Sequence, residues 1–483
     1  MRTPGFDEGA DPAPEKQAGV ALEFASGKSY PPLMSSALFT DLHQAINALP
    51  VVDTHTHLGS HPRGQGRLVS GDLRELAGYH WLRNDLERAA GKAFARTEDS
   101  ASFMAEAAPW FRYITHTPNH RAFQAVLEDL FGFEEPYLTP DNWEPVDDAI
   151  RQAADEPKRA EAILRRAGIR RMVIPAEVRT GLPASGDPLF SAYTMVEYAI
   201  MARAARGLAK LTADPALGWP AVDRALDALP ADPAFYADRI REHIRYAAEV
   251  SGVCALHLWV PAAWHYRPGR NLQDLEAVIA KVAAHTDRSQ PSGLSFEERS
   301  ALFSACLDKV AEEAGHHGLV IQLFHGMMEH SGQLTVPVTV RGDPDQLFSW
   351  GHLFATHPET RFDLLPALRA HSQEITFMAR QHPNLSLSGA WWNGFTPATL
   401  ETHFRDRLEI LPTNAWNAFY SDAYRAEWAY GKLTVSRRVL AATLSRLVDV
   451  GWLTATMALD HARQVLLTNP DTRFAGGQAP PAA

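Results

Sequence analysis

The chain has 483 residues, with 46 Lys and Arg against 57 Asp and Glu, a net charge of −11, and 46 % hydrophobic and 21 % charged residues. This composition excludes bulk disorder and a fibrous fold, and the acidic balance excludes a general nucleic-acid binder, which needs a basic face to displace counterions from phosphate. Two cysteines, Cys254 and Cys306, leave neither a disulfide framework nor a thiolate zinc site, whereas 21 histidines direct any metal towards imidazole and carboxylate.

Residues 1–30 lack periodicity and carry several Pro, Gly and charged residues, so a flexible tail is expected there. The first sixteen residues are acidic and Pro-rich, where a signal peptide is basic and then apolar, and no apolar run reaches the ~18–20 residues that cross a bilayer. A cytoplasmic protein without a membrane partner is the expectation. The first strand is LPVV running into Asp53-Thr54-His55-Thr56-His57. Residues 58–168 then separate it from the next strand, far too many for one crossover helix. Stretches 70–91 and 119–133 have helical character, so a helical insert over about 60–160 is placed above the active end of that strand.

Beyond the insert, an amphipathic helix, a Gly or Pro and a short apolar strand recur. Helix 160–167 ends at Gly168 before strand 170–178, and helix 235–251 ends at Gly252 before strand 253–260. Helix 296–314, opened by a Ser295-x-x-Glu298 capping box, ends at Gly315 before strand 318–325. Helix 372–381 stops at Pro383 before 384–392, and helix 398–411 precedes 414–422. Glycine just past a helix suits a left-handed cap, and buried apolar strands after helices suit parallel βα units. Weaker strands over 207–212 and 361–367 bring the number to eight, the number a closed barrel needs. The expected fold is therefore an α/β protein, a (β/α)8 barrel over 31–474 with a second flexible tail at 475–483. An open doubly wound sheet is the alternative, but no G-x-G-x-x-G or G-x-x-x-x-G-K-[ST] follows the first strand. The polar residues ending strands, His57, Glu177, His257, His325 and Asp422, suit the barrel rule that chemistry sits at the C-terminal face.

Residues two apart on a strand face the same side, so Asp53, His55 and His57 point together and the two imidazoles form half of a metal site; packing in a polar barrel layer is the alternative. Asp422, at the end of the last strand, lies beside the first once the barrel closes and is the natural third ligand, or else an N-cap for the next helix. His325 and His257 are candidates for a further imidazole, His325 being at a strand end. Glu177 and Arg179 form either a site pair or an exposed loop pair, and Met327 and Met328 read as packing or pocket lining.

Together these residues resemble the uronate isomerases of the amidohydrolase superfamily. The likeness runs from about Leu49 to Phe474. It includes the H-x-H opening, the large insert with Gly78-Tyr79-His80-Trp81-Leu82-Arg83, the strand Ser388-Gly389-Ala390-Trp391-Trp392, the final Ser421-Asp422, and the terminal helix with Asn469 and Arg473. The resemblance implies a distorted (β/α)8 barrel holding one divalent metal, zinc first and manganese next, on His55, His57 and Asp422; His325, from its place at a strand end, is the candidate for a further ligand. It implies interconversion of an open-chain aldose uronate and its ketose through a cis-enediol, with Asp422, His80, Tyr79 or metal-bound hydroxide as the base. Arg83, Trp391 and Trp392 are the implied substrate contacts, with Arg425 a candidate substitute for the family's arginine, and the expected partners are a small sugar acid and further copies of the chain in a homo-oligomer.

The sequence also departs from that family. Tyr424 stands where an arginine follows the final aspartate by two residues, Phe324 precedes His325, and His257 replaces a fourth-strand aspartate. The Tyr79-His80 order is exchanged, and LTADPALGWP lacks the third-strand arginine. Arg341 or Arg437 could stand in, because a carboxylate is best held by a bidentate guanidinium. A hydrolase or decarboxylase using a metal-bound water is the alternative on the same scaffold, and a degenerate, non-enzymatic barrel is the third reading.

Overall fold

The apolar runs form the strands of one curled parallel sheet, in a computed structural model that describes residues 36–60, 67–176, 178, 189–195, 231–249, 253–260, 265–284, 294–330, 338–390 and 395–475. These strands are β1 (Val51–Asp53), β2 (Ile169–Pro175), β3 (Phe190–Met195), β4 (Val253–Trp259) and β5 (Val320–His325). An antiparallel hairpin, β6 (Met327–His330) and β7 (Val338–Arg341), intervenes before β8 (Arg361–Pro366), β9 (Leu385–Ser388) and β10 (Trp416–Asn417). The sheet order is β1-β2-β3-β4-β5-β8-β9-β10, and every neighbouring pair is parallel. Helices Arg159–Arg166, Pro233–Glu249, Phe296–His316 and Ser372–Gln381 pack against β2, β4, β5 and β9. This is a distorted (β/α)8 barrel with a helical insertion between its first two strands. No helix among the described residues is long and apolar enough to cross a membrane.

Two strands differ from the sequence reading. The third barrel position is filled by Phe190–Met195, which pairs with both β2 and β4. It follows the Gly- and Pro-rich sequence GLPASGDP and is half polar, which hid it; residues 207–212 lie outside the described residues, as do most of the two expected tails. The eighth strand is also curtailed, since only Trp416 and Asn417 pair with β9. Beyond them the seam to β1 is closed by other bonds. Asp422 N–H donates to the His55 carbonyl (3.1 Å), Ser421 N–H donates to Asp53 Oδ1 (2.9 Å) and the Thr54 hydroxyl donates to the Phe419 carbonyl (3.3 Å).

The barrel interior carries a polar network rather than aliphatic side chains alone. Asp363 Oδ1 accepts from the Ser386 (2.7 Å) and Ser388 (2.8 Å) hydroxyls, Asn417 donates to Ser388 Oγ (2.9 Å), and Gln322 Nε2 donates to Asp363 Oδ2 (3.2 Å). All five residues are fully buried, so this mutual bonding is what makes their burial tolerable.

Within the insert, the helical stretch expected over 70–91 breaks in two. Asp72 caps Leu73–Ala77 by accepting from Glu75 N–H (2.7 Å), Gly78 closes that turn, and a new helix runs over His80–Ala90. The break leaves Tyr79 outside both helices, with φ −53° and ψ 129°. The long helix Ala426–Asp449 packs on the insert helix Pro118–Phe131, closely enough that a Cβ on Gly431 would sit 2.4 Å from the Ala122 carbonyl oxygen.

Glu427, on that long helix, accepts from Ser70 N–H (2.9 Å) through Oε1, while its buried Oε2 has no hydrogen-bond partner. Burial pushes its carboxyl up to about 7, the hydrogen bonds and the Arg425 charge opposing. A folded-state value above the unfolded one means that stability is lost as pH rises from about 4.5 through about 7, where the buried acid must ionise. Glu427→Gln is therefore expected to gain stability over the parent with rising pH, by up to roughly 3 kcal/mol near pH 8 and little at pH 4.5. Paired denaturant melts at the two pH values check this, and a pH-independent difference would count against it.

Candidate metal centre

Short β1 delivers His55 and His57 to the C-terminal mouth of the barrel, and the segment after β10 brings Asp422 to meet them. His57 Nε2 lies 3.2 Å and His55 Nε2 4.0 Å from Asp422 Oδ1. The three donor atoms fall within 4.8 Å of one another, and no other group of His, Cys, Asp or Glu among the described residues converges in this way. Donors around one tetrahedral zinc stand about 3.4 Å apart, from bonds of ~2.1 Å, so the observed separations bracket a metal's demands.

The surroundings set the protonation of His55. Gln322 Nε2 donates to the Thr54 carbonyl (3.0 Å) and to Asp363, which turns its Oε1 towards His55 Nδ1 at 3.3 Å. Nδ1 must then carry the proton, leaving a lone pair on Nε2 facing Asp422. That Nε2 is buried without a hydrogen-bond partner, the arrangement a metal ligand requires. Burial above all, with the neighbouring imidazoles of His257 and His57, holds His55 well below its usual range and therefore neutral near pH 7. The Tyr193 hydroxyl lies 3.3 Å from His57 Nδ1 and fixes the orientation of the second ring. Asp422 is held ionised: burial raises its carboxyl, but the His57 hydrogen bond and nearby positive charge, that of Lys432 included, outweigh that and depress it.

His257 belongs to the site but not to the donor trio. Its ring stacks on His55 (4.8 Å, 16°), and burial, aided by His57, lowers it to about 3. His325 is corrected. β5 pairs without a bulge with β4 and β8, so alternation sends Phe324 inward, 5.0 Å from the His55 ring, and turns His325 away to His371 (Nε2 to Nδ1, 2.9 Å).

Tyr79 is brought in. Its hydroxyl donates to the Asp422 carbonyl (3.3 Å) and accepts from Lys432 Nζ (2.7 Å). Burial and the Asp422 charge keep the phenol well above its usual value, so it stays protonated. The His80 side chain, Trp391, Trp392, Glu177, Arg179 and the side chains of Met327, Met328 and Arg341 lie outside what is described.

The expected arginine contacts are also corrected. Arg83 is spent on Glu87 (2.8 Å) and on the Phe94 (2.7 Å) and Ala95 (3.2 Å) carbonyls, a clasp within the insert. Arg425 follows Tyr424, whose ring stacks on His57 at 5.4 Å, and points instead to the Arg67 carbonyl (2.8 Å) and Glu75 (3.9 Å). Arg437 binds the Ala167 (2.8 Å) and Leu49 (2.5 Å) carbonyls.

A cavity of about 360 Å³ adjoins Asp422, lined by Trp81, Asn84, Asp85 and Asn119 from the insert and by Tyr420, Ser421, Lys432 and Ser436 among others. Lys432 is the only basic side chain among its described lining residues. Sequence reasoning missed Lys432, Gln322 and Tyr193. The one available signal for Lys432 is a charge set in the apolar stripe Trp428, Lys432, Val435, Val439 of a buried helix.

No family model matches the chain, and no curated protein matches its sequence. Solved structures do match its shape. A uronate isomerase from Thermotoga maritima superposes with a TM-score of 0.74 at 14 % identity, over 92 % of this chain and 98 % of that one. A glucuronate isomerase from Caulobacter crescentus gives 0.73 at 17 % over 93 % and 98 %, and a uronate isomerase from Bacillus halodurans gives 0.66 at 17 % over 92 % and 98 %. Likeness at such identities speaks for the fold: the chain has the distorted (β/α)8 barrel of these isomerases across more than nine-tenths of its length.

Proposed function

We propose that the chain is a metal-dependent isomerase interconverting the aldose and ketose forms of a small sugar acid, with one divalent ion on His55, His57 and Asp422. The observation that carries this reading is the buried, proton-free and unpartnered Nε2 of His55 directed at an ionised carboxylate beside a second imidazole. A donor set of two nitrogens and one carboxylate oxygen suits zinc first and manganese next. When bound, the ion would supply Lewis acidity, polarising substrate oxygens and stabilising the charge that develops on them.

The remaining work falls to the chain. The cavity beside Asp422 has the size for a six-carbon acid, and Asn84, Asp85 and Asn119 offer hydroxyl-binding groups from the insert. The Asp422 carboxylate takes the proton from the hydroxyl-bearing carbon next to the carbonyl and returns it to the former carbonyl carbon, while the hydroxyl proton passes from the first oxygen to the second, leaving the oxidation level of the molecule unchanged. Tyr79 Oη, protonated at neutral pH, donates to the Asp422 backbone carbonyl and so helps to hold the residue that carries the carboxylate. Trp81 and Phe395, on the cavity wall, limit water around the exchanging proton.

The test uses zinc- or manganese-loaded protein and a panel of hexuronates in deuterium oxide, read by proton NMR. Deuterium entering the substrate at C2, or the product at C1, is the expected result. A metal-loaded protein that exchanges no carbon-bound proton across the panel would overturn the reading, and turnover confined to lactones or esters would replace it with hydrolysis.

A further inference from the structure

Asp422 adopts φ +49°, one of only two positive-φ residues other than glycine among the described residues. Side chains disfavour this left-handed region, and a residue held there needs surroundings that over-determine it. The two peptide groups flanking Asp422 set its φ and ψ, and one side chain grips both. Lys432 Nζ donates to the Ser421 carbonyl (2.8 Å), which belongs to the peptide before Asp422, and to the Asp422 carbonyl (3.4 Å), which belongs to the peptide after it. Its third donor goes to Tyr79 Oη (2.7 Å). An ammonium has three protons, and all three are placed. No donor is left over for a substrate carboxylate, although Lys432 lines the cavity.

We propose that Lys432 is a positioning residue that locks Asp422 in its left-handed conformation and thereby aims the carboxylate at His55 and His57. From the other side Asp422 N–H is tied to the His55 carbonyl (3.1 Å), so the first peptide is clamped at both ends of its dipole. Lys432 is delivered by the helix that Gly431 allows to approach the insert, and its ammonium lies 5.1 Å from the Tyr79 ring centre. The chain thus substitutes a buried lysine on a neighbouring helix for local backbone preference in shaping the site. The inference rests on the metal-binding reading above.

Lys432→Met, Lys432→Gln and Tyr79→Phe, each as the full chain, are compared with the parent by chelator competition for zinc and by the visible spectrum of the cobalt form. The methionine variant is expected to bind metal 10–100-fold more weakly, the range typical of losing a partner that orients a ligand. Its cobalt bands should also shift as the carboxylate swings away. The glutamine variant keeps a neutral donor and should lose less, which covers the case that methionine does not fold. Tyr79→Phe keeps both Lys432 bonds to the carbonyls and removes only the longer Tyr79 bond to the Asp422 carbonyl (3.3 Å), so it should lose clearly less affinity than Lys432→Met. Parent-like affinity and spectrum in both lysine variants would overturn the proposal, as would an equal loss in Tyr79→Phe. If the parent itself binds no divalent ion, it is the functional reading that fails.

Discussion

Asp422→Asn is expected to keep the fold and lose the metal. Asparagine is nearly isosteric and tolerates the left-handed backbone, so the φ of +49° and the Lys432 bonds to backbone carbonyls persist. What disappears is the negative charge. In the parent that charge sits 3.2 Å and 4.0 Å from two imidazole nitrogens, is only 16 % exposed, and provides the one anionic donor of the trio. Affinity for zinc should fall by more than the roughly 10–100-fold that follows loss of an outer partner. If the carboxylate also carries the proton between carbons, the residual turnover of metal-saturated variant should be lower by a further ~10²–10⁴-fold, the usual worth of a general base. Metal content by mass spectrometry, thermal melts of the metal-free proteins and deuterium exchange at saturating metal separate the two effects. A fully loaded, exchanging Asn variant would remove Asp422 from both roles.

The legible and the illegible parts of this protein divide along a physical line. Helix-Gly-strand units announce themselves because a left-handed cap and a buried apolar run each have a local signature; the Ser295–Glu298 box forms in both directions as read. The donor trio was legible for a related reason. His55 and His57 are two residues apart in the segment that continues β1, and strand order alone places the end of β10 beside β1. The arginine contacts were not legible, because where a long side chain ends depends on the folded path of other segments: Arg83 finds the Phe94 carbonyl, Arg425 finds Glu75 and Arg437 finds Leu49. His325 failed on register. A one-residue offset reverses a strand's face, and without a bulge Phe324 occupies the inward position. Lys432 failed because a lysine on a helix reads as solvated, whereas this one is 6 % exposed and bonded at each proton.

Trp428→Ala is expected to be the most destabilising single change at the junction of insert and barrel, by about 3–5 kcal/mol. The indole is fully buried, donates through Nε1 to the Leu76 carbonyl (3.1 Å) and stacks on Tyr79 with ring centres 4.2 Å apart at 21°. On its far side Phe123 of the insert lies at 6.3 Å, so one ring joins the short helix, the phenol of the site and the insert core. Trp428→Phe keeps an aromatic face for Tyr79 but loses volume and the donor, and should cost less than alanine. Because Lys432 lies one turn further along the same helix, with its ammonium on Tyr79 Oη, the alanine variant should also weaken metal binding in protein that remains folded. A double-mutant cycle with Tyr79→Phe and Tyr79→Ala tests the stacking directly. A coupling of roughly 0.5–1.5 kcal/mol with alanine, and little with phenylalanine, is expected of an aromatic pair whose ring rather than hydroxyl makes the contact. Equal coupling in both cycles would assign the link to the Lys432 hydrogen bond instead of the rings.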